Sequence, residues 1–257
     1  MIKIGVADYG MDVWDGGSYD ITERLEGLRS IGLDGTEWLK AVDAADAVYK
    51  AASYRKMGMD FASCSIAASQ ELGMTVTAAL GKEYVWLLSG PATRDVDFKV
   101  YCRRANCFVK AAARFGLKAA LHNHLGSRVE SQKELEDFMR AVPGAYLLLD
   151  IGHLAAAGGD NAEIVEKYCA RLAGVHFKDV YITAESIGLD EWWKRLRFCE
   201  LGGGNIGLDY AETANQLIRS GYNDKWIFIE HDTHLREPLE DLKISSKILK
   251  SIFGNQK

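Results

Sequence analysis

The stretch that decides the fold is a run of leucines that ends in an acid and a histidine. It reads Tyr146-Leu147-Leu148-Leu149-Asp150-Ile151-Gly152-His153. Consecutive leucines predict a strand that is buried on both faces, because a half-exposed strand would alternate apolar with polar residues. A carboxylate that ends such a strand is costly to bury unless a partner or a cation compensates its charge. Asp150 and His153 therefore fit either a helix N-cap beside an internally bonded histidine or two groups of a functional site.

Three further apolar runs end in side chains of the types that bind metal ions. All six histidines lie between residues 122 and 234. The runs are Lys118–His122, which continues into Asn123 and His124, Leu172–His176, and Trp226–Glu230, which is followed by His231. In a barrel of parallel strands the carboxyl ends converge on one mouth, so these imidazoles and carboxylates would meet around one point.

The whole chain alternates strand and helix patterns eight times. The predicted strands are Ile2–Ala7, Gly35–Leu39, Asp60–Ile66, Tyr84–Leu88, Lys118–His122, Tyr146–Asp150, Gly174–Phe177 and Trp226–Glu230. Eight such units in 257 residues are typical of the α/β class and of a single (β/α)8 TIM barrel, which we expect to form one domain over residues 1–257. A doubly wound open sheet is the main rival, but the first turn, Asp8–Asp12, lacks its glycine fingerprint.

Composition and charge disfavour several classes of protein. The net charge is −5 and no basic block stands out, which argues against a non-specific grip on nucleic acid. No apolar run approaches the roughly 20 residues that span a bilayer, and the first residues lack the features of a signal peptide. The five cysteines are an odd number without CxxC spacing, so we expect free thiols and a cytoplasmic location.

The residues at the ends of strands seven and eight differ in how strongly they indicate a functional site. His176 follows an apolar residue, where a lone histidine is more often part of the core than a ligand. Lys178 lies two residues further along the strand pattern and should point to the same side. Glu230 ends the run Ile227–Ile229, and burying its charge requires a cation.

The fifth strand end leaves more than one assignment open. His122 and His124 share a face of the strand, so both would look into the mouth, where we expect His124 to contact the substrate. Glu130 precedes the next helix and would either cap that helix or fold back to a cation, and spacing alone does not separate these options. Three tryptophans near other strand ends would stack against a sugar ring or simply pack inside, namely Trp14, Trp38 and Trp86.

Ligands of this kind predict a catalytic divalent cation. Aspartate, glutamate and histidine without cysteine suit one Mn²⁺, Mg²⁺, Co²⁺ or Zn²⁺ ion rather than a structural zinc. Such an ion would chelate oxygens of a carbonyl substrate, acidify the neighbouring C–H bond and stabilise an enediolate. His153, His122 or a carboxylate would act as the base, and Lys178 would hold an oxyanion or a leaving oxygen.

At this point the chain resembles the xylose isomerase-like TIM barrels, a superfamily of sugar phosphate isomerases, epimerases and dehydratases. The resemblance covers essentially the whole chain. It most resembles the myo-inosose dehydratase-like branch, through a His-x-His-x-Gly segment leading to a glutamate and an Asp-x-Gly-His segment leading to a Gly-Gly pair. The matching residues are Gly32–Glu37, His122–Gly126 with Glu130, Asp150–His153 with Gly158-Gly159, His176–Asp179, Leu201–Gly204 and Glu230.

This resemblance implies roles for individual residues. Asp150, His176 and Glu230 would be three metal ligands, and His153 would contact the substrate. The fourth ligand of such barrels is usually a glutamate from strand five, where this chain has His122. Glu130 matches the dehydratase-like segment and is the predicted fourth ligand, with His122 and His124 as alternatives.

The resemblance also implies a set of reactions on one carbohydrate substrate class. We expect proton abstraction next to a carbonyl of a keto-sugar or keto-cyclitol, followed by β-elimination, including elimination from 3-keto-glycosides. Epimerases need two acid–base groups on opposite faces, classically two glutamates, so an isomerase or epimerase is the alternative. A non-catalytic or partner-dependent barrel subunit is a third interpretation. An apurinic-site endonuclease is disfavoured, because the first 121 residues contain no histidine.

The expected partners follow from these interpretations. We expect a small-molecule carbohydrate substrate, no nucleic acid and no membrane. The sequence is compatible with a homo-oligomer or with a small partner subunit. The segment around Trp192-Trp193 would then be an interface or a lid.

Overall fold

The computed structural model describes residues 1–7, 9–14, 16, 18–87 and 91–254. In chain order the strands are β1 Lys3–Ala7, β2 Gly35–Ala41, β3 Asp60–Ile66, β4 Tyr84–Trp86, β5 Lys118–His122, β6 Tyr146–Asp150, β7 Leu172–Phe177, β8 Asp179–Ile182, β9 Leu196–Cys199 and β10 Trp226–Glu230. The α-helices are α1 Tyr9–Trp14, α2 Ile21–Ser30, α3 Ala44–Met57, α4 Gln70–Ala79, α5 Phe98–Arg114, α6 Gln132–Ala141, α7 Ile151–Ala156, α8 Asn161–Tyr168, α9 Trp192–Arg195, α10 Tyr210–Arg219 and α11 Pro238–Phe253.

Eight of the strands form a nearly closed parallel barrel. Their order is β3-β2-β1-β10-β7-β6-β5-β4. The two ends of this series meet where the Ser63 hydroxyl of β3 donates to the Tyr84 carbonyl of β4, 2.8 Å away. The predicted (β/α)8 barrel is therefore confirmed and the open doubly wound sheet is wrong. The fourth strand ends at Trp86 rather than at Leu88, which lies outside the described residues.

Neighbouring strands carry the polar strand ends that the sequence singled out. β5, β6, β7 and β10 are consecutive in the barrel, and Asp150 pairs in register with His176. The leucines Leu147–Leu149 are fully buried, as their pattern predicts. Parallel pairing of these four strands brings their carboxyl ends to one side of the barrel mouth.

A small antiparallel hairpin was not predicted. β8 and β9 pair from Asp179 with Cys199 to Ile182 with Leu196 and lie outside the barrel sheet. The Asp179 carboxylate accepts the backbone N–H groups of Gly202 (2.9 Å) and Gly204 (3.0 Å). A Cβ on Gly204 would lie 2.0 Å from Asp179 Oδ1, so only glycine lets the loop approach this closely. The hairpin and this bonded loop are thereby fixed over the barrel mouth.

Local signals explain where several helices begin and end. Ser131 and Glu134 form a reciprocal capping box at the start of α6. Asp43 caps the start of α3, and Gly58, in the left-handed region with φ 66°, follows its last residue as the C-cap. Within the described ranges, none of the helices is both long enough and apolar enough to cross a bilayer.

Candidate metal centre and active site

Four consecutive barrel strands bring four donor side chains together at the mouth. They come from β5, β6, β7 and β10 and are His122, Asp150, His176 and Glu230. One donor atom from each lies within 4.8 Å of the donor atoms of the others, and all four residues are buried. Three of the four predicted ligands are therefore grouped, and His122 stands with them where Glu130 was predicted.

Two atoms of this cluster are poorly satisfied by protein groups alone. His122 Nε2 lies 3.5 Å from Asp150 Oδ2 and 3.7 Å from Glu230 Oε2. Within the described part of the chain, neither His122 Nε2 nor Asp150 Oδ2 finds a hydrogen-bond partner, although both atoms are buried. Leaving such atoms unpaired costs about 1–3 kcal/mol each. Two imidazoles and two carboxylates with unsatisfied donor atoms fit a divalent cation.

The electrostatics of the cluster keep its carboxylates ionised. Burial raises the pKa of Asp150 and of Glu230, but the Lys178 ammonium together with the neighbouring histidines outweighs burial and holds both pKa values below their usual range. Burial opposes the charged form of His176, whereas Glu37 and Glu230 raise its pKa well above the usual value. Ionised carboxylates are the form that binds cations.

Glu37 on β2 supports the cluster from behind. His176 Nδ1 lies 2.7 Å from Glu230 Oε2, and its Nε2 lies 3.0 Å from Glu37 Oε2. Glu37 is itself held by the Tyr84 hydroxyl (3.0 Å) and the Trp86 indole N–H (2.7 Å), both of which donate to Oε1. A carboxylate behind a ligating histidine fixes its tautomer and orientation. In the sequence Glu37 stands out only as part of a motif, although an acid between Thr36 and Trp38 in a strand is a signal of a functional role.

We expect Glu37→Gln to weaken Mn²⁺ binding about 10- to 100-fold, the usual cost of losing an outer-shell partner of a metal ligand. Isothermal titration with Mn²⁺ would measure this, with Glu26→Gln on the exposed face of α2 as the matched control. Unchanged Mn²⁺ affinity in folded Glu37→Gln would contradict the assigned role.

Lys178 lies beside the cluster and is fully buried. Its Nζ is 3.1 Å from Glu230 Oε2, 3.2 Å from Asp232 Oδ2 and 3.5 Å from Asp150 Oδ2. It also lies 3.1 Å from His153 Nε2. Burial disfavours its charged form, but the surrounding carboxylates outweigh burial and raise the pKa of Lys178. The residue is therefore a fixed cation next to the candidate metal ligands.

His124 and His153 form a pair of neutral imidazoles on the same side of the mouth. Their ring centroids are 3.9 Å apart. His124 Nδ1 lies 2.6 Å from the Leu125 carbonyl oxygen, so Nδ1 carries the proton and Nε2 keeps its lone pair. Burial, followed by the charges of His122 and Lys178, lowers the pKa of His124 to about 4. His153 is fully buried, and burial together with Lys178 lowers its pKa well below the usual value.

Glu130 lies apart from the four-residue cluster. One of its carboxylate oxygens accepts the backbone N–H of Gly126, and the other is 3.6 Å from the Arg94 guanidinium. It is only partly buried. Its contacts are those of a loop-fixing carboxylate beside the mouth.

The three predicted stacking tryptophans are in different places. Trp86 stacks on His122 with ring centroids 4.7 Å apart, and Trp38 meets Trp86 edge-on at 4.4 Å. These two rings therefore line one side of the cluster, and the Trp86 indole N–H also donates to Glu37. Trp14 ends α1 and is 54% exposed. The structure gives Trp14 no place beside the four clustered donors.

The hairpin and the helix before β9 add aromatic residues to the site that were not predicted from the sequence. Phe198 on β9 lies 4.7 Å from His153, centroid to centroid, and Trp192 lies 5.7 Å from His124. The adjacent pair Trp192-Trp193 was noticed in the sequence, but nothing in its spacing indicated which way the excursion folds. These rings cover the imidazole pair from the solvent side.

Comparison with known proteins fits this geometry. A family model described as xylose isomerase-like TIM barrel matches residues 30–252. The protein belongs to that family. An inosose dehydratase of Lactiplantibacillus plantarum is 27% identical over 241 residues, covering 91% of this chain and 73% of the relative. One from Bacillus velezensis is 28% identical over 241 residues, covering 87% of this chain and 77% of the relative.

Solved structures share the fold of this family member. The crystal structure of the probable 3-DHS dehydratase AsbF from Bacillus anthracis superposes with a TM-score of 0.73 at 14% identity and covers 100% of both chains. The predicted resemblance to xylose isomerase-like barrels is confirmed, and with it the expectation that the protein is an enzyme.

Proposed function

We propose that this protein is a divalent-metal-dependent lyase that acts on a keto-cyclitol or a keto-sugar. It would remove the proton next to the carbonyl and expel an oxygen substituent from the adjacent carbon, as a dehydratase does. The observation that carries this proposal is the buried cluster of His122, Asp150, His176 and Glu230 with an imidazole pair and a buried ammonium beside it. The relatives named inosose dehydratase support the substrate class.

The metal would be held by the four clustered side chains from β5, β6, β7 and β10. Mn²⁺, Mg²⁺, Co²⁺ or Zn²⁺ all suit mixed imidazole and carboxylate donors. When bound, the cation supplies a Lewis acid that polarises the substrate carbonyl and so acidifies the neighbouring C–H bond. Glu37 holds His176 in the orientation that points Nδ1 into the cluster.

His124 is the base that the geometry supports best. Its Nδ1–H is committed to the Leu125 carbonyl, so Nε2 is the acceptor for a proton. His124 is partly exposed at the mouth, whereas His153 is fully buried behind it. We therefore place His124, predicted from sequence as a substrate contact, at the proton-abstraction step. His153, predicted as catalytic, would position Lys178 through the 3.1 Å contact between Nε2 and Nζ.

Lys178 would stabilise the substrate oxygen on which negative charge develops. Its ammonium is fixed by carboxylates on one side and lies 4.2 Å from the centre of the Phe198 ring. A preorganised cation in a site closed to water stabilises developing charge strongly. The same group would give a proton to the leaving oxygen, so that the proton lost from carbon is matched by one gained on oxygen.

The test is to incubate the Mn²⁺-loaded protein with an inosose in D₂O and to follow both ketose and product by mass spectrometry. We expect a product that has lost one molecule of water. Deuterium in recovered ketose without loss of water would contradict elimination and favour an isomerase or epimerase. No consumption and no exchange, with metal bound, would favour a non-catalytic or partner-dependent barrel.

We expect His124→Gln to lower kcat about 10²- to 10⁴-fold, because a general base contributes this much to proton transfer. Glutamine keeps a polar side chain of similar size, so the Mn²⁺ content should stay at the wild-type level. The measurement is kcat and KM for the inosose, together with metal analysis of the same sample. Wild-type kcat in this variant would remove His124 from the proton-transfer step.

A further inference from the structure

A second group of donor side chains lies at the barrel mouth, separate from the four-residue cluster. His124, His153 and Asp232 each offer one donor atom, and these three atoms lie within 4.8 Å of one another. His153 is fully buried, and the other two side chains are partly buried at the mouth. Two imidazoles and a carboxylate are donors of the kind that bind a divalent cation. The group is therefore a candidate second cation position, and the proposed metal centre uses none of its three members as a ligand.

The ammonium of Lys178 already lies in this second group. Its Nζ is 3.2 Å from each carboxylate oxygen of Asp232 and 3.1 Å from His153 Nε2. The lysine side chain is fully buried, so water does not compete for these contacts. Bonds from imidazole or carboxylate donors to Zn²⁺ are about 2.0–2.2 Å long, so the same donors would have to close by about 1 Å around a metal ion. The protein therefore supplies the positive charge of this position from its own chain.

Glu230 links the second position to the first. Its Oε2 lies 3.1 Å from Lys178 Nζ and 2.7 Å from His176 Nδ1, so one oxygen faces both groups of donors. Asp150 Oδ2, in the four-residue cluster, is 3.5 Å from the same Nζ. Two-metal catalytic sites place their ions about 3.5–4 Å apart, which is close enough for one carboxylate to contact both. The mouth therefore has the arrangement of a two-cation site with carboxylates between the two positions.

An ammonium and a metal ion would have different effects on His124. An ammonium donates hydrogen bonds to carboxylates but has no orbital with which to accept a lone pair from a nitrogen. A metal ion, in contrast, binds a neutral imidazole through the lone pair of a ring nitrogen. In His124 that lone pair is on Nε2, because Nδ1–H is committed to the Leu125 carbonyl. A metal ion in the second position would therefore remove His124 as a proton acceptor, whereas the lysine leaves it free.

We propose that the mouth is a two-cation site in which Lys178 permanently fills the second position, formed by His124, His153 and Asp232, and so keeps a second metal ion away from His124. The existence of the second position does not depend on the proposed lyase function, whereas the protection of a catalytic base rests on it. Removing the ammonium without refilling its volume should open a second metal site.

The test is the Mn²⁺ content of wild type, Lys178→Ala and Lys178→Met after saturation with Mn²⁺ and removal of free ion, together with the EPR spectrum of each sample. Alanine empties the second position, whereas methionine keeps most of the volume of lysine and is the matched control. We expect about one ion per chain in the wild type and in Lys178→Met, and about two in Lys178→Ala. Two Mn²⁺ ions about 3.5–4 Å apart should also give an exchange-coupled EPR signal, which an isolated ion does not give.

Two further variants assign the second ion to its ligands. Asp232→Asn in the Lys178→Ala background should return the content to about one ion, because the second position then loses the only carboxylate among its three donors. Asp232→Asn with Lys178 intact should keep about one ion, as in the wild type, and loss of that ion would overturn the assignment of Asp232 to a separate position. If Lys178→Ala does not fold, Lys178→Ser empties the same space and should bind about two ions.

The outcomes separate this inference from the metal centre and from the lyase. Only one ion in folded Lys178→Ala, or a second ion without exchange coupling, would overturn the second position and leave the first standing. Two coupled ions in the wild type would also overturn it, because the ammonium would then fail to exclude the second ion. Wild-type kcat for the inosose in Lys178→Ala with two ions bound would overturn the protection of His124. A wild type without any ion would instead contradict the metal centre itself.

Discussion

Lys178→Met is expected to lower kcat about 10²- to 10⁴-fold while the protein still binds Mn²⁺. The ammonium is fully buried and lies within 3.2 Å of Glu230 and Asp232, where it faces both the candidate ligands and the imidazole pair. Methionine keeps most of the volume of lysine but carries no charge and donates no proton. Transition-state charge on a substrate oxygen would then lose its nearest fixed cation.

The same change should also reduce stability. Removing one partner of a buried ion pair costs about 3–5 kcal/mol, because the remaining carboxylates stay buried without compensation. Mn²⁺ should restore part of this loss, since the cation would neutralise the same carboxylates. Lys247→Met, exposed on α11, is the matched control and should affect neither property.

Kinetics, metal analysis and thermal unfolding of the same preparations would check these expectations. If Lys178→Met does not fold, Lys178→Arg keeps the charge but moves the donor atoms, and its kcat should still fall. Wild-type kcat in either folded variant would contradict a role for Lys178 in the reaction.

Glu230→Gln is expected to abolish stoichiometric Mn²⁺ binding and, with it, turnover. Glu230 Oε2 lies 2.7 Å from His176 Nδ1, 3.7 Å from His122 Nε2 and 3.1 Å from Lys178 Nζ, so it borders every cationic or imidazole group of the cluster. Neutralising it leaves Asp150 as the only carboxylate of the four clustered residues. The loss in affinity should exceed the roughly 10- to 100-fold that outer-shell changes cost.

Calorimetric titration with Mn²⁺ and kcat for the inosose would be measured on Glu230→Gln and on the control Glu240→Gln, which is exposed on α11. Adding excess Mn²⁺ should not restore the activity of Glu230→Gln to that of the control. Full Mn²⁺ binding by folded Glu230→Gln would mean that the metal, if any, sits elsewhere.

The polar residues at the strand ends could be predicted from two simple rules, one on burial and one on the topology of parallel strands. A buried strand must be apolar, and an acid or histidine that ends one has few structural uses, so Asp150, His176 and Glu230 stand out in the sequence. Parallel strands with covered faces then require their carboxyl ends to share one mouth. The grouping of these three residues follows from that rule, and the structure brings them within one cluster.

The sequence also placed His122 at this mouth, but the choice between His122 and Glu130 as the fourth ligand needed three dimensions. His122 ends β5, while Glu130 follows a turn whose direction depends on Gly126 and on the contact with Trp192. The motif pointed to Glu130, but the turn directs its carboxylate to the Gly126 N–H and to Arg94 instead. The spacing of residues along the sequence does not determine the direction of such a turn.

Glu37 and Trp192, which contact the donor residues and the imidazole pair, could not be predicted from the sequence for a similar reason. Glu37 comes from β2, which is three strands from β7 in the barrel, and its carboxylate reaches His176 across the barrel interior. Trp192 arrives on the excursion between β8 and β9, whose fold is set by the Asp179 bonds to Gly202 and Gly204. Contacts across a closed barrel and contacts from an inserted hairpin leave no periodic signal.

The metal centre is best tested by the metal content of purified wild type, His122→Gln and Glu130→Gln after saturation with Mn²⁺ and removal of free ion. We expect about one ion per chain in the wild type and in Glu130→Gln, because four donors converge at one site, and loss of the ion in His122→Gln. Retention of the ion in His122→Gln together with its loss in Glu130→Gln would show that Glu130, and not His122, is the fourth ligand. A folded wild type that holds no ion would contradict the metal centre and the elimination mechanism built on it.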